Sequence, residues 1–315
     1  MSRFIGRPVV FSGNAHAQLA SDVCAYLDVP LGRANVFDFA NGNTFVQLLE
    51  NIRERDVFLI QPGARPVNHH LVELLIMIDA ARRASAGRIT AVVPFFAYGR
   101  SDKKDQPRVP ITARLFADLI QTAGADRMLT MDLHAGQIQG FFRIPTDELT
   151  GQRLLVDHFE QQGFNGVVVS PDLGSAKRAR AAADRLGVPL AITEKRRSGN
   201  EDRAEAMQLI GAVAGRDVLI IDDEIDTAGT LVQVAELLRA EGAQEVYGAA
   251  THGVLSNPAL ERLAASPISK VAVTDTLPPP NNGAMCGLEI VSIAPLLGEA
   301  IRRIHEGDSV GALFR

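Results

Sequence analysis

The chain has 315 residues, 46% apolar and 22% charged, a balance that suits a soluble globular protein of two domains and excludes a disordered or fibrous one. Its net charge of −5 speaks against nucleic acid or an anionic membrane as a partner, so cations for any phosphate must be concentrated locally. Two cysteines, Cys24 and Cys286, cannot build a disulfide framework and fit a reduced cytoplasm, and no apolar run reaches the length of a signal peptide or membrane span.

Residues 9–11 read as a strand, followed by a helix that places Leu19, Val23, Tyr26 and Leu27 on one face. A strand over 36–39 leads into Phe39-Ala40-Asn41-Gly42-Asn43, where Asn-Gly marks a turn. Residues 56–60 form a third strand, and a helix over 68–85 turns Leu71, Leu74, Leu75 and Ile78 inward. Apolar strands follow over 89–96 and 127–133. Between them Arg100, Lys103, Lys104 and Arg108 put four cations within nine residues, beside Gly99 and Pro107. Charge alone reads as a solvated turn. Its place after a buried strand makes it a cationic loop able to close over a polyphosphate. Asp132-Leu133-His134 then sets a histidine just past a strand end.

In the second half a strand over 166–170 ends at Pro171-Asp172-Leu173-Gly174, and a helix covers 176–186. A strand over 190–193 leads to Glu194-Lys195-Arg196-Arg197, three consecutive cations. The apolar run 218–221 reads as a buried parallel strand ending at Asp222 and Asp223. Asp226-Thr227-Ala228-Gly229-Thr230 makes a tight turn into a helix with Leu231, Val234, Leu237 and Leu238 on one face. Strands over 246–251 and 270–274 follow, then a Pro- and Asn-rich loop over 277–283. Ile293, Leu296, Leu297, Ala300, Ile301 and Ile304 mark a final helix. Alternating strands and helices specify an α/β fold with mainly parallel sheets flanked by helices. Ligands in such folds bind beyond the carboxyl ends of strands, and a helix N-terminus offers free N–H groups to an anion. The acid pair suits sugar hydroxyls or a hydrated Mg²⁺, so a phosphorylated sugar is the first ligand to consider.

Two adjacent acids, a third at Asp226 and Thr-Ala-Gly-Thr together resemble the phosphoribosyl-pyrophosphate loop of type I phosphoribosyltransferase-fold proteins. That loop alone does not separate salvage transferases, which consume the activated sugar, from the synthetase that makes it. Pro94-Phe95-Phe96-Ala97-Tyr98-Gly99-Arg100, the basic loop, Pro110-Ile111-Thr112-Ala113-Arg114, Asp132-Leu133-His134, residues 137–142, Ser170-Pro171-Asp172 and Lys195-Arg196-Arg197 extend the likeness. Over nearly the full chain this combination resembles the ribose-phosphate pyrophosphokinase family.

The resemblance implies two similar phosphoribosyltransferase-like domains, 1–145 on the ATP side and 146–290 on the ribose 5-phosphate side, with a helix and tail over 291–315 packing back on the first. It implies transfer of the β,γ-diphosphoryl group of ATP to the anomeric hydroxyl of ribose 5-phosphate in a cleft between the domains. His134 and Asp172 would hold Mg²⁺. Asp222 and Asp223 would meet the ribose hydroxyls, and Asp226, Thr227, Ala228, Gly229 and Thr230, with Arg197, the phosphorylated sugar. Lys195 and Arg197 would be catalytic, stabilising the migrating group. Arg100, Ser101, Asp102, Lys103 and Lys104 would contact ATP, with Phe39, Asn41 and Asn43 from a neighbouring subunit. The family pattern departs at Asn43, where Glu is common, at Ser101, where Gln is common, and at Leu173-Gly174-Ser175, where two glycines are usual. A homohexamer built from dimers, inhibited by ADP and activated by phosphate, also follows from the resemblance, with residues 306–314 near the regulatory site. The rival readings are a salvage phosphoribosyltransferase, which needs no ATP site, and a catalytically silent regulatory homologue.

Overall fold

A computed structural model describes residues 6–196, 206–280 and 287–314. The chain divides into two units, Met1–Thr150 with Thr276–Pro278 and Ser292–Arg315, and Gly151–Asp275 with Pro279–Val291.

In the first unit, β1 (Val9–Ser12), β4 (Asp56–Ile60), β5 (Arg88–Val93), β6 (Arg127–Met131) and β7 (Thr146–Leu149) form a parallel sheet in that order. β2 (Ala34–Asp38) and β3 (Thr44–Leu48) make a separate antiparallel hairpin. The helices are α1 (Ala17–Leu27), α2 (Val67–Arg83), α3 (Thr112–Ala123) and, from the end of the chain, α8 (Ala294–Glu306). Every residue of β4 is buried, because a parallel strand covered on both faces has no solvent side. Phe11, Leu59, Leu74, Met77, Ile89 and Ile120 lie in the core so formed.

The second unit contains α4 (Gln152–Gln161), β8 (Val167–Ser170), α5 (Ala176–Leu186), β9 (Leu190–Arg196), β10 (Ala206–Ile210), β11 (Val218–Ile225), α6 (Gly229–Ala240), β12 (Val246–Gly253), α7 (Ala259–Ala264), β13 (Ile268–Thr274) and β14 (Leu288–Val291). Its sheet runs β10-β9-β8-β11-β12-β13-β14, with only β10 antiparallel to its neighbour among the described residues.

Several sequence expectations change. Tyr26 is 48% exposed rather than inward. It lies over Gly298 of α8, where an added Cβ would stand 2.5 Å from its ring. The strand expected over 36–39 is the first arm of the β2–β3 hairpin, closed by a turn in which Gly42 has φ 82° and Phe39 N donates to Asn43 O at 2.9 Å. β5 stops at Val93, since Pro94 has no N–H for the ladder, and β6 stops at Met131, before Asp132 turns to φ 33°. β11 does not end at its acids: pairing with β12 carries it on to Ile225, while pairing with β8 stops at Ile220. The helix beyond begins at Gly229, so Thr230 belongs to its first turn. β3, β7, β10 and β14 were absent from the sequence reading. β7, Thr-Asp-Glu-Leu, is an edge strand with no apolar run to betray it.

α8 packs on α1 and is pinned by charge. Asp56, wholly buried, accepts from Arg88 Nε at 2.8 Å and Nη2 at 2.6 Å, and lies 2.9 Å from His305 Nδ1 on α8. Arg88 Nη2 also donates to the carbonyl of Ile304 at 2.8 Å. Removing one member strands a buried cation. Asp56→Ala should therefore cost about 3–5 kcal/mol, read as a lowered urea midpoint of the first unit, whereas Asp79→Ala, at an exposed pair with Arg83 within α2, should lower it far less.

Candidate functional site

The second unit gathers its polar residues where β8, β9 and β11 end. Beyond β11, Ala228 takes the left-handed φ of 60° as the N-cap of α6, with no side-chain cap bond. The first N–H groups of α6 are thus not capped by a side chain and suit an anion. Thr227 and Thr230 are exposed beside them. Arg262 Nη1 donates to Thr227 O at 3.1 Å, which braces the turn from α7 and adds a cation that the sequence reading overlooked.

Asp222 Oδ1 accepts from Ser175 Oγ at 2.9 Å and from Asp223 N at 2.9 Å. Arg178 Nη1 lies 3.4 Å from Asp223 Oδ1 and 3.9 Å from Asp222 Oδ1. Burial, then the hydrogen bond and charge of Asp223, push the Asp222 carboxyl up to about 7. Two carboxylates side by side offer several acceptor oxygens, which matches a diol able to donate two hydroxyls.

Asp172 is exposed, and its Oδ1 accepts Ser175 N at 2.7 Å. Ser175 consequently links the Asp172 loop to Asp222. The sequence marked Ser175 only as a departure in the loop after Asp172 and did not mark Arg178. Their only signal was position: Ser175 lies three residues after an acid, and Arg178 sits one turn into α5. Ile192 of β9 pairs with Ser170, the last residue of β8. Lys195 and Arg196 close β9 beyond that point, opposite Met207 and Ala206 of β10. Their backbone thus emerges at the Asp172 end of the sheet. Arg197 lies outside the described residues.

In the first unit, loops after β5 and β6 abut. An added Cβ on Gly99 would lie 3.5 Å from His134 Cβ. His134, Arg100, Lys103 and Lys104 are exposed, whereas Asp102 is buried. Ser101 is engaged locally: its N–H donates to Tyr98 O at 2.8 Å, its carbonyl accepts Ala113 N at 3.1 Å, and its hydroxyl meets Thr112 Oγ1 at 3.3 Å. At the hairpin tip Phe39 is 49% exposed against Phe37 and Phe45, and Asn41 Oδ1 accepts Asn43 N at 3.0 Å.

Among the described residues no group of three or more His, Cys, Asp or Glu side chains could hold a metal ion. His134 belongs to the first unit and Asp172 to the second. With Oδ1 of Asp172 accepting Ser175 N, its Oδ2 is a hard oxygen of the kind that a largely hydrated Mg²⁺ would take.

Residues 8–124 match the N-terminal domain of ribose phosphate pyrophosphokinase, and residues 198–315 a phosphoribosyl synthetase-associated domain. The chain is 50% identical to a ribose-phosphate pyrophosphokinase of Caldanaerobacter subterraneus subsp. tengcongensis, covering 100% of both chains. It is 48% identical to one of Clostridium acetobutylicum over 97% of each. Among solved structures it is similar to a phosphoribosylpyrophosphate synthetase from Mycobacterium smegmatis, with TM-score 0.90, 46% identity and coverage of 96% of this chain and 100% of that one.

The acid pair makes a signed prediction. An Asp222 that keeps its proton to about 7 when folded, against 3.8 ordinarily, releases it on unfolding between those values. Stability of the second unit should accordingly fall as pH rises from about 4 to 7 and level off above. Asp222→Asn should flatten that slope in denaturation midpoints measured across the range.

Proposed function

The chain belongs to the ribose-phosphate pyrophosphokinase family, and from that premise we propose that it moves the β,γ-diphosphoryl group of ATP to the C1 hydroxyl of ribose 5-phosphate. The products are 5-phosphoribosyl 1-pyrophosphate and AMP. The C1 hydroxyl gives up its proton to solvent as its oxygen forms a bond to the β-phosphorus, the bond from that phosphorus to the α–β bridging oxygen breaks, and AMP leaves with the bridging oxygen. The observation that carries this reading is the adjacent carboxylate pair Asp222–Asp223, five residues before the N-cap of a helix with no side-chain cap.

Asp222 and Asp223 accept the ribose hydroxyls and orient C1, while Asp226, Thr227, Ala228, Gly229 and Thr230 cradle the 5-phosphate. Arg178 and Ser175 keep the two carboxylates in place. Lys195 and Arg197 neutralise charge on the migrating group, Lys as a point charge and Arg as a fork. Arg100, Lys103 and Lys104 meet the ATP phosphates, and Phe39, Asn41 and Asn43 the nucleoside, donated from a second copy. Since phosphoryl transfer needs little covalent help, positioning and charge neutralisation are the protein's share. His134 and Asp172 would hold Mg²⁺, which when bound adds positive charge at the phosphate oxygens. Assembly as a hexamer of dimers in the cytoplasm completes the proposal. No helix among the described residues is long and apolar enough to cross a membrane.

Incubation with ATP, Mg²⁺ and ribose 5-phosphate should yield AMP and phosphoribosyl pyrophosphate in equal amounts. A salvage transferase or a silent homologue would release no AMP. Lys195→Ala should lower kcat at least roughly tenfold, about 1.4 kcal/mol, with KM for ribose 5-phosphate kept in steady-state assays.

A further inference from the structure

Glu73 sits on the inward face of α2 beside Leu71, Leu74, Met77 and Ile78, and none of it is exposed. A buried carboxylate is costly unless donors surround it, and here they do. Its Oε1 accepts Asn14 N at 2.7 Å and Gln61 Nε2 at 2.6 Å, while its Oε2 accepts Asn14 Nδ2 at 2.7 Å. An apolar side chain would fill the position at lower cost, so the charge calls for a purpose.

Two routes away from it, through Asn14 and His69, lead to the β2–β3 hairpin. Asn14 Nδ2 also donates to Val36 O of β2 at 3.3 Å, the two hydrogens of one amide thus serving both acceptors. His69 Nε2 stands 3.8 Å from Glu73 Oε2 and 3.7 Å from Asp38 Oδ2. Asp38 Oδ1 in turn accepts Thr44 Oγ1 of β3 at 2.8 Å, across the last rung before the turn. The hairpin shares no ladder with the main sheet, and an isolated two-stranded ribbon is marginal. Its apolar footing on the core is Ala34 and Leu48 on the rung farthest from the turn and Val46 on the middle rung. The polar relay runs from that middle rung, at Val36, to the last one, at Asp38 and Thr44.

We infer that Glu73 is a positioning residue: through Asn14 and His69 it fixes the direction of the hairpin tip, and with it Phe39, Asn41 and Asn43. The consequence for nucleotide binding rests on the role proposed above for those residues. Gln61 anchors the same carboxylate to the end of β4, so the tip is referenced to the sheet itself.

Glu73→Gln in the full chain keeps the volume but turns an NH₂ group toward surrounding donors. Amide exchange over residues 34–48 should quicken about tenfold relative to β4 and β5. KM for ATP should rise at least about fivefold, with KM for ribose 5-phosphate unchanged. Asp38→Asn, on the half-exposed end of the relay, should move both readouts the same way by less, without loss of stability. If Glu73→Gln does not fold, that variant decides alone. Unaltered exchange in the hairpin overturns the positioning role whatever the kinetics. Should exchange rise while KM for ATP stays put, Asn41→Ala separates the causes. A raised KM there refutes Glu73 as the residue that positions the tip, and an unchanged one refutes the hairpin's nucleotide role instead.

Discussion

A parallel sheet covered by helices on both faces leaves its polar chemistry only one place to go, the strand ends. β4 is buried at every residue and β8 likewise, so neither can carry a functional group along its length. The carboxyl ends open into loops that precede helices, where backbone N–H groups are exposed and small residues let a ligand approach. β11 obeys the rule in part. It is apolar while β8 lies beside it, then continues against β12 alone, and in that continuation the acids appear.

Three buried or half-buried acids show how partners decide what a charge is for. Asp56 meets Arg88 and His305 and ties α8 to the sheet. Glu73 meets three N–H donors and secures a hairpin. Asp222 has one hydroxyl and one N–H, and faces a second carboxylate. Only the last is set against another carboxylate, and its carboxyl is pushed up to about 7.

Much of the candidate site's layout was legible because it is local. Strand, acid pair, Thr-Ala-Gly-Thr turn and helix occupy consecutive residues, so their order already implied an anion site next to two carboxylates. The supports of that site were not legible in the same way. Ser175 and Arg178 reach Asp222 and Asp223 from 47 and 45 positions away, and nothing in the intervening chain announces it. The local bonds of Ser101 were not legible either: its hydroxyl meets Thr112 and its carbonyl serves the first turn of α3.

Composition and hydrophobic period by themselves determined the α/β class, the buried strands and the helix faces, because burial on a regular backbone repeats at a fixed interval. Pairing is different. That β2 folds onto β3 outside the main sheet, that β10 runs against β9, and that Tyr26 covers Gly298 of α8 depend on which distant segment arrives alongside. A residue's neighbours in the chain carry its periodicity, but only the folded chain chooses its partners across space, and those partners set which charges are satisfied and which remain for a ligand.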